Sequence, residues 1–168
     1  FYYLDLYREF MGLVKEYDIS PAGLKLEITE SAVIMDVPKQ AALIEKLQAE
    51  GFVVEMDDFG SGYSSLNTLK DIPVDILKLD MKFMEKSKNT KRSADIVQMV
   101  VAMADKLGMP VIAEGVETKE QADFLGRIGC DIIQGYYYAK PMSMEEFEQL
   151  LNKYPYRDIV QKGIGNDI

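Results

Sequence analysis

The residues of this chain that could do chemistry are carboxylates, one lysine and one amide. Glu27, Asp57, Asp58, Lys78, Asp80, Glu114 and Gln134 each stand in or at the end of an apolar, strand-like run. There is no histidine, and Cys130 is the single cysteine. That composition excludes a Ser-His-Asp triad, a Cys-His pair, an HExxH zinc site and an imidazole base near neutral pH. Any catalysis falls to carboxylates, lysine, tyrosine, amides or a bound metal. Several carboxylates gathered in one place repel and raise one another's pKa. Divalent cations relieve that repulsion, and oxygen ligands without His or Cys select Mg²⁺ or Mn²⁺ over structural zinc. Two such ions about 3.5–4 Å apart, sharing a carboxylate, activate water and clamp phosphoryl oxygens. The adjacent pair Asp57-Asp58 suits both ions, with one residue as the bridge. Lys78 suits holding the attacking water or neutralising a phosphate oxygen. The reaction class favoured is metal-dependent phosphodiester hydrolysis. In isolation an Asp-Asp pair is more often a helix cap or turn, so the pair signifies only with its neighbours.

The elements that must position these groups follow from periodicity. Residues 3–16 repeat apolar side chains at helical spacing (Leu4, Tyr7, Phe10, Met11, Val14), and Ser20-Pro21 and Gly23 then break the chain. Strands are expected over 24–29, 52–59, 76–80, 109–116 and 130–137. Helices are expected after Pro38 as far as Gly51, from an N-cap at Ser93 to Gly108, after Thr118 to Gly129, and over 144–154 behind Ser143. The stretch 60–73 reads as loop with a short helix, 86–93 as a solvated basic linker, and 155–168 as a fraying polar tail. Met99 and Met103 are expected to pack.

Strand and helix alternate five times, the pattern of an α/β protein with parallel strands and right-handed crossovers. Side chains alternate faces along a strand. Leu24, Leu26 and Ile28 therefore oppose Lys25, Glu27 and Thr29, and Leu77 and Leu79 oppose Ile76, Lys78 and Asp80. Val53, Glu55 and Asp57 share a face, as do Ile112 with Glu114 and Ile132 with Gln134 and Tyr136. One face of each strand is greasy and the other turns polar toward its C-terminal end. An open parallel sheet is usually apolar on both faces. Polar groups at successive C-terminal strand ends fit a (β/α) barrel, whose site lies at that rim.

The net charge of −9 has the wrong sign for gripping the backbone of duplex nucleic acid. One cysteine fits a reducing compartment, so the expected location is cytoplasmic, any anchor of the parent lying upstream. No stretch approaches the roughly 18 uninterrupted apolar residues of a membrane span. The chain begins at Phe1 with no initiator Met, as a processed or excised piece would.

LEITES (26–31), DDFGSGYSSL (57–66), LKLD (77–80), AEGVET (113–118) and QGYYYAKPM (134–142) occur in that order. From about residue 3 to about residue 152 the chain resembles the EAL-domain family, bacterial phosphodiesterases that linearise cyclic di-GMP to pGpG on a (β/α)8-type barrel. The resemblance implies that Glu27 is a ligand of the first metal and Asp57 the bridge between two Mg²⁺ or Mn²⁺ ions. It makes Asp58 a second-metal ligand, Glu114 a second-metal ligand or general base, and Lys78 the holder of the nucleophilic water with Asp80 beside it. Glu117 and Gln134 match rim residues that support the site or touch substrate. Glu30 matches the residue that anchors the loop after Asp58, where Gly60 and Gly62 supply mobility.

The family's name-giving Glu and a following Asn ligand have no counterpart in these 168 residues, and a TIM-type barrel takes roughly 250. The expectation is a partial barrel over 1–154, with a tail over 155–168, whose first strands lie upstream. Such a piece is inactive alone unless another chain supplies those strands. Bare strand edges, with Phe1, Tyr2 and Tyr3 uncovered, imply self-association or a homodimer. The parent is expected to carry sensory or cyclase domains. A non-catalytic cyclic di-GMP receptor or interaction module is the alternative, separable because a receptor binds without metal.

Overall fold

The computed structural model of the chain describes residues 2–60, 66–82 and 90–153. The expectations for Phe1, for Gly62 and its neighbours, for residues 86–89 of the basic linker and for the tail 155–168 lie outside the described residues.

In chain order the elements are α1 (Tyr2–Glu16), β1 (Lys25–Thr29), α2 (Glu30–Ile34), α3 (Val37–Ala49), β2 (Val53–Phe59), α4 (Leu66–Asp71) and β3 (Ile76–Asp80). They continue with α5 (Thr90–Lys106), β4 (Val111–Glu114), α6 (Lys119–Arg127), β5 (Ile132–Ile133) and α7 (Met144–Lys153). The five strands form one sheet in the order β1-β2-β3-β4-β5, every pair parallel. That order identifies the architecture. In a doubly wound sheet the order reverses and helices cover both faces. With sequential order, right-handed crossovers place every connecting helix on the same side. The result is a sector of a (β/α) barrel, its outer face covered by helices and its inner face open.

The outer face holds the core. Val54 and Met56 of β2, Leu77 and Leu79 of β3 and Ala113 of β4 are buried in one cluster with Ile44, Leu47, Val97, Val101, Ala104 and Leu125 of the helices. Each large side chain buried there contributes about 1.5–3 kcal/mol. The alternation expected for β1 is present: Leu26 and Ile28 are half-buried while Lys25, Glu27 and Thr29 are exposed.

Several boundaries differ from the sequence expectation. α5 starts at Thr90, so Ser93 is buried inside its first turn and does not cap it. The Lys91-Arg92 pair before it favours helix, which carries the start upstream. Val97, Val101 and Ala104 face the sheet, whereas Met99, about 200° around the helix from Val97, is 71% exposed. Met103 packs at the core margin as expected. The short α2 follows β1 without a break and was not expected, five residues being too few to show a period. Asp36 caps α3 by accepting from Lys39 N. Thr118 and Gln121 form a capping box at α6, and Ser143 and Glu146 bond reciprocally at the start of α7.

β5 has two residues where eight were expected. The cause is the close approach of the segment after β5 to the end of β4. Gln134 N donates to Ala113 O, Val116 N to Gln134 O, and Tyr137 N to Val116 O. A Cβ on Gly135 would lie 2.1 Å from Val116 O. The chain leaves the strand there because Val116 backbone occupies the space a side chain would need. Gly135→Ala is expected to cost about 2–3 kcal/mol, read as a lower urea midpoint at unchanged slope. An unchanged midpoint would show that the two segments separate easily.

Candidate functional site

The inner face gathers the charged groups. Lys78, in the middle of β3, is surrounded by acids from three other strands. Its Nζ donates to Glu27 Oε1 of β1 at 2.5 Å and stands 2.9 Å from Glu114 Oε1 of β4 and 3.1 Å from Asp57 Oδ1 of β2. The Lys78 side chain is only 7% exposed, so the ammonium has left bulk water and depends on these acids. Strand register makes the convergence possible. Thr29 pairs with Asp57 and Asp80 with Glu114, bringing the C-terminal ends of β1 to β4 side by side.

Burial works against the charge on Lys78, but the hydrogen bonds from Glu27, Glu114 and Asp57 outweigh it. The group is held protonated beyond the ordinary lysine range, a fixed donor and not a base. Glu114 goes the other way. Burial pushes its carboxyl above the usual carboxylate range, Lys78 pulls it down, and the charges of Asp57 and Glu27 push it up again. One cation among three acids leaves the cluster short of positive charge.

The remaining expected site residues lie around this centre. Asp80 is half-buried and turned to its own loop, where Oδ1 accepts from Lys82 N at 2.8 Å. Asp58 sits beside a register shift between Met56 and Phe59, in left-handed backbone with φ 57°, and is exposed outside the Lys78 network. Glu30 is 4% exposed in the first turn of α2, directly beyond β1. Its expected partner loop, 61–65, lies outside the described residues. Glu117 and Gln134 are exposed at the same end of the sheet. The Glu117 amide donates to Gln121 Oε1 at 2.8 Å, and the Gln134 backbone joins the segment after β5 to β4.

Two charged residues that strand parity had placed on this face, without a role, pair here. Glu55 of β2 is 3% exposed, and its Oε1 stands 3.1 Å from Lys25 Nζ of β1. A charged residue in mid-strand, on the face of Asp57, was the available signal.

The donor chemistry fits a hard divalent cation. All candidate ligands are carboxylate oxygens, and the buried Asp57 Oδ1 has the Lys78 ammonium, 3.1 Å away, to offset its lost hydration. Among the described residues no three carboxylates are gathered in ligating geometry. The oxygens of Glu27, Asp57 and Glu114 are drawn onto the Lys78 ammonium, which supplies the local positive charge.

Comparison with known proteins bears on the same residues. Residues 5–141 match the EAL domain family. Cyclic di-GMP phosphodiesterase NbdA of Pseudomonas aeruginosa is 36% identical over 146 residues, covering 87% of this chain and 19% of that protein. Among solved structures, the PaMucR phosphodiesterase in complex with c-di-GMP superposes with TM-score 0.75 at 37% identity, over 82% of this chain and 56% of that one. Klebsiella pneumoniae BlrP1, as a calcium/cy-diGMP complex, superposes with TM-score 0.72 at 30% identity, over 79% and 34%. The chain spans about a fifth of the length of NbdA.

Removing the ammonium exposes the acids to one another. In Lys78→Met the Glu114 carboxyl loses the cation that lowers its pKa, which rises further in the folded state, so stability is retained at acidic pH and lost as pH rises through the carboxylate range. The deficit against the unmodified chain is expected to grow from near zero at about pH 4 to about 2 kcal/mol at about pH 7, measured by urea denaturation. A deficit independent of pH would mean that packing, not charge, is what Lys78 supplies.

Proposed function

The chain belongs to the EAL domain family, and from that premise we propose that it forms the catalytic portion of a phosphodiesterase that opens cyclic di-GMP to pGpG with two Mg²⁺ or Mn²⁺ ions. The observation that carries this reading is the single lysine ringed by carboxylates from three other strands on an open face. Glu27 would hold the first ion, Asp57 would bridge, and Asp58 and Glu114 would serve the second, with Asp80 beside them. When bound, such ions supply acidified water and positive charge for the phosphoryl oxygens.

The chain's own residues do the rest. Lys78, held protonated, donates a hydrogen bond to the attacking water and fixes its direction. As the alternative to serving the second ion, Glu114, whose carboxyl pKa burial raises, would take the proton that the water loses. Both pKa values rise, so Lys78 stays a protonated donor while the Glu114 carboxylate becomes a better proton acceptor. Glu117 and Gln134, exposed at the rim, would touch or support substrate, and Glu30 would anchor the loop after Asp58. Self-association belongs to the same proposal, since the β1 edge carries no partner strand among the described residues. No helix among the described residues is long and apolar enough to cross a membrane.

The test is turnover of cyclic di-GMP by the full-length protein that contains this chain. Activity with Mg²⁺ or Mn²⁺, its loss on chelation, and a drop of about 100-fold in Asp57→Asn are expected. Residues 1–168 alone, without the family's other Glu and Asn ligands, are expected to turn over little. Tight cyclic di-GMP binding without metal, and no hydrolysis with it, would identify a receptor instead.

A further inference from the structure

The Lys25–Glu55 pair is left unused by the hydrolytic reading. Lys25 and Glu27 are two residues apart on β1 and share a face, about 7 Å apart along the strand. Glu27 and Glu55 are directly opposed partners on β1 and β2, where like charges repel. The two carboxylates turn to different lysines: Glu27 to Lys78 at 2.5 Å, and Glu55 to Lys25 at 3.1 Å. Exposure separates them further. Glu55 is 3% exposed, whereas the side chains of Lys25 and Glu27 are 55% and 52% exposed.

Lys25 is therefore long, solvated and within reach of two acids, one buried and one not. The buried acid has the stronger claim. Glu55 Oε1 has no hydrogen-bond partner, so the Lys25 ammonium is what offsets its lost hydration. Glu27 keeps water as well as Lys78. We propose that Glu55 is a positioning residue: by holding the Lys25 ammonium, it leaves the Glu27 carboxylate turned toward Lys78.

Without the Glu55 charge, the acid nearest Lys25 on its face is Glu27, since Asp57 lies opposite Thr29, four residues farther along β1. Glu27 is then divided between two ammonium groups, and Lys78 loses its shortest hydrogen bond. Its position in the site changes although Glu55 touches neither Lys78 nor the place of the reacting atoms. The effect on turnover rests on the phosphodiesterase reading; the geometry does not.

The experiment follows ammonium and carboxylate resonances of the chain labelled with ¹⁵N-lysine and ¹³C-glutamate. In the unmodified chain, Lys25 should correlate with Glu55, and Lys78 with Glu27. In Glu55→Gln the Lys78 ammonium protons should exchange with water about tenfold faster. Adding Lys25→Met to Glu55→Gln removes the competing cation and should return exchange to within about twofold of the unmodified chain. A purely structural role for Glu55 predicts no such rescue. Unchanged exchange in Glu55→Gln, or a loss that Lys25→Met does not repair, overturns the proposal. If Glu55→Gln does not fold, the unmodified chain decides, because a Lys25–Glu27 correlation there would also overturn it. In the full-length protein kcat should fall and recover in the same two steps. The resonance pattern without any turnover would leave the positioning standing and remove the hydrolytic reading.

Discussion

A lysine whose side chain is 7% exposed in the middle of a sheet is tolerable only if its charge is matched nearby. Lys78 imposes that condition on the inner face. The matching acids cannot come from β3 itself, because its next residue on that face, Asp80, turns into its own loop. They come from β1, β2 and β4, so strand order and register must be right before the lysine can be buried. The site and the sheet are thus one problem. A one-residue slip of β2 would send Asp57 to the greasy side and put Met56 beside the ammonium.

The one-sided construction of the sheet follows from the same topology. Sequential order with a constant hand of crossover sends all the connecting helices to one face, where Leu77, Leu79, Met56 and Val54 meet them. The other face is released from the hydrophobic core and can carry charge. Six charges, Lys25, Glu27, Glu55, Asp57, Lys78 and Glu114, occupy it in an order that places an ammonium beside every acid of the set. The excess is negative, as the rim acids Asp58, Asp80 and Glu117 make plain. That deficit is the physical opening for a cation or for the donors of a bound substrate.

Membership of the EAL domain family places these residues in a wider setting without replacing their local logic. Motif matching assigns Asp57 and Asp58 as neighbours with similar roles. Their surroundings differ: Asp57 is half-buried against Lys78, and Asp58 stands exposed in left-handed backbone beside a register shift. A bulge of this kind turns consecutive residues away from the simple alternation of a strand. It lets a residue that parity places on the helix side reach the rim. Gly135 does comparable work at the other edge, where its missing side chain lets the backbone of Val116 close β4 onto the following segment.

Much was legible from residue types and spacing alone. Alternation in LKLEIT and ILKLD identified the faces, the absence of histidine narrowed the chemistry, and five ordered motifs carried the family resemblance. These features are local, or depend on order along the chain, so a linear string contains them. Other features needed the folded chain. Nothing in the string says that Glu27, Asp57 and Glu114 meet on one lysine 51, 21 and 36 residues away, or that Glu55 takes Lys25 while Glu27 takes Lys78. The early end of β5 depends on contact with Val116. Register and desolvation are properties of neighbouring strands together. They decide which of several available charge partners each residue takes, because burial raises the cost of leaving any one of them unpaired.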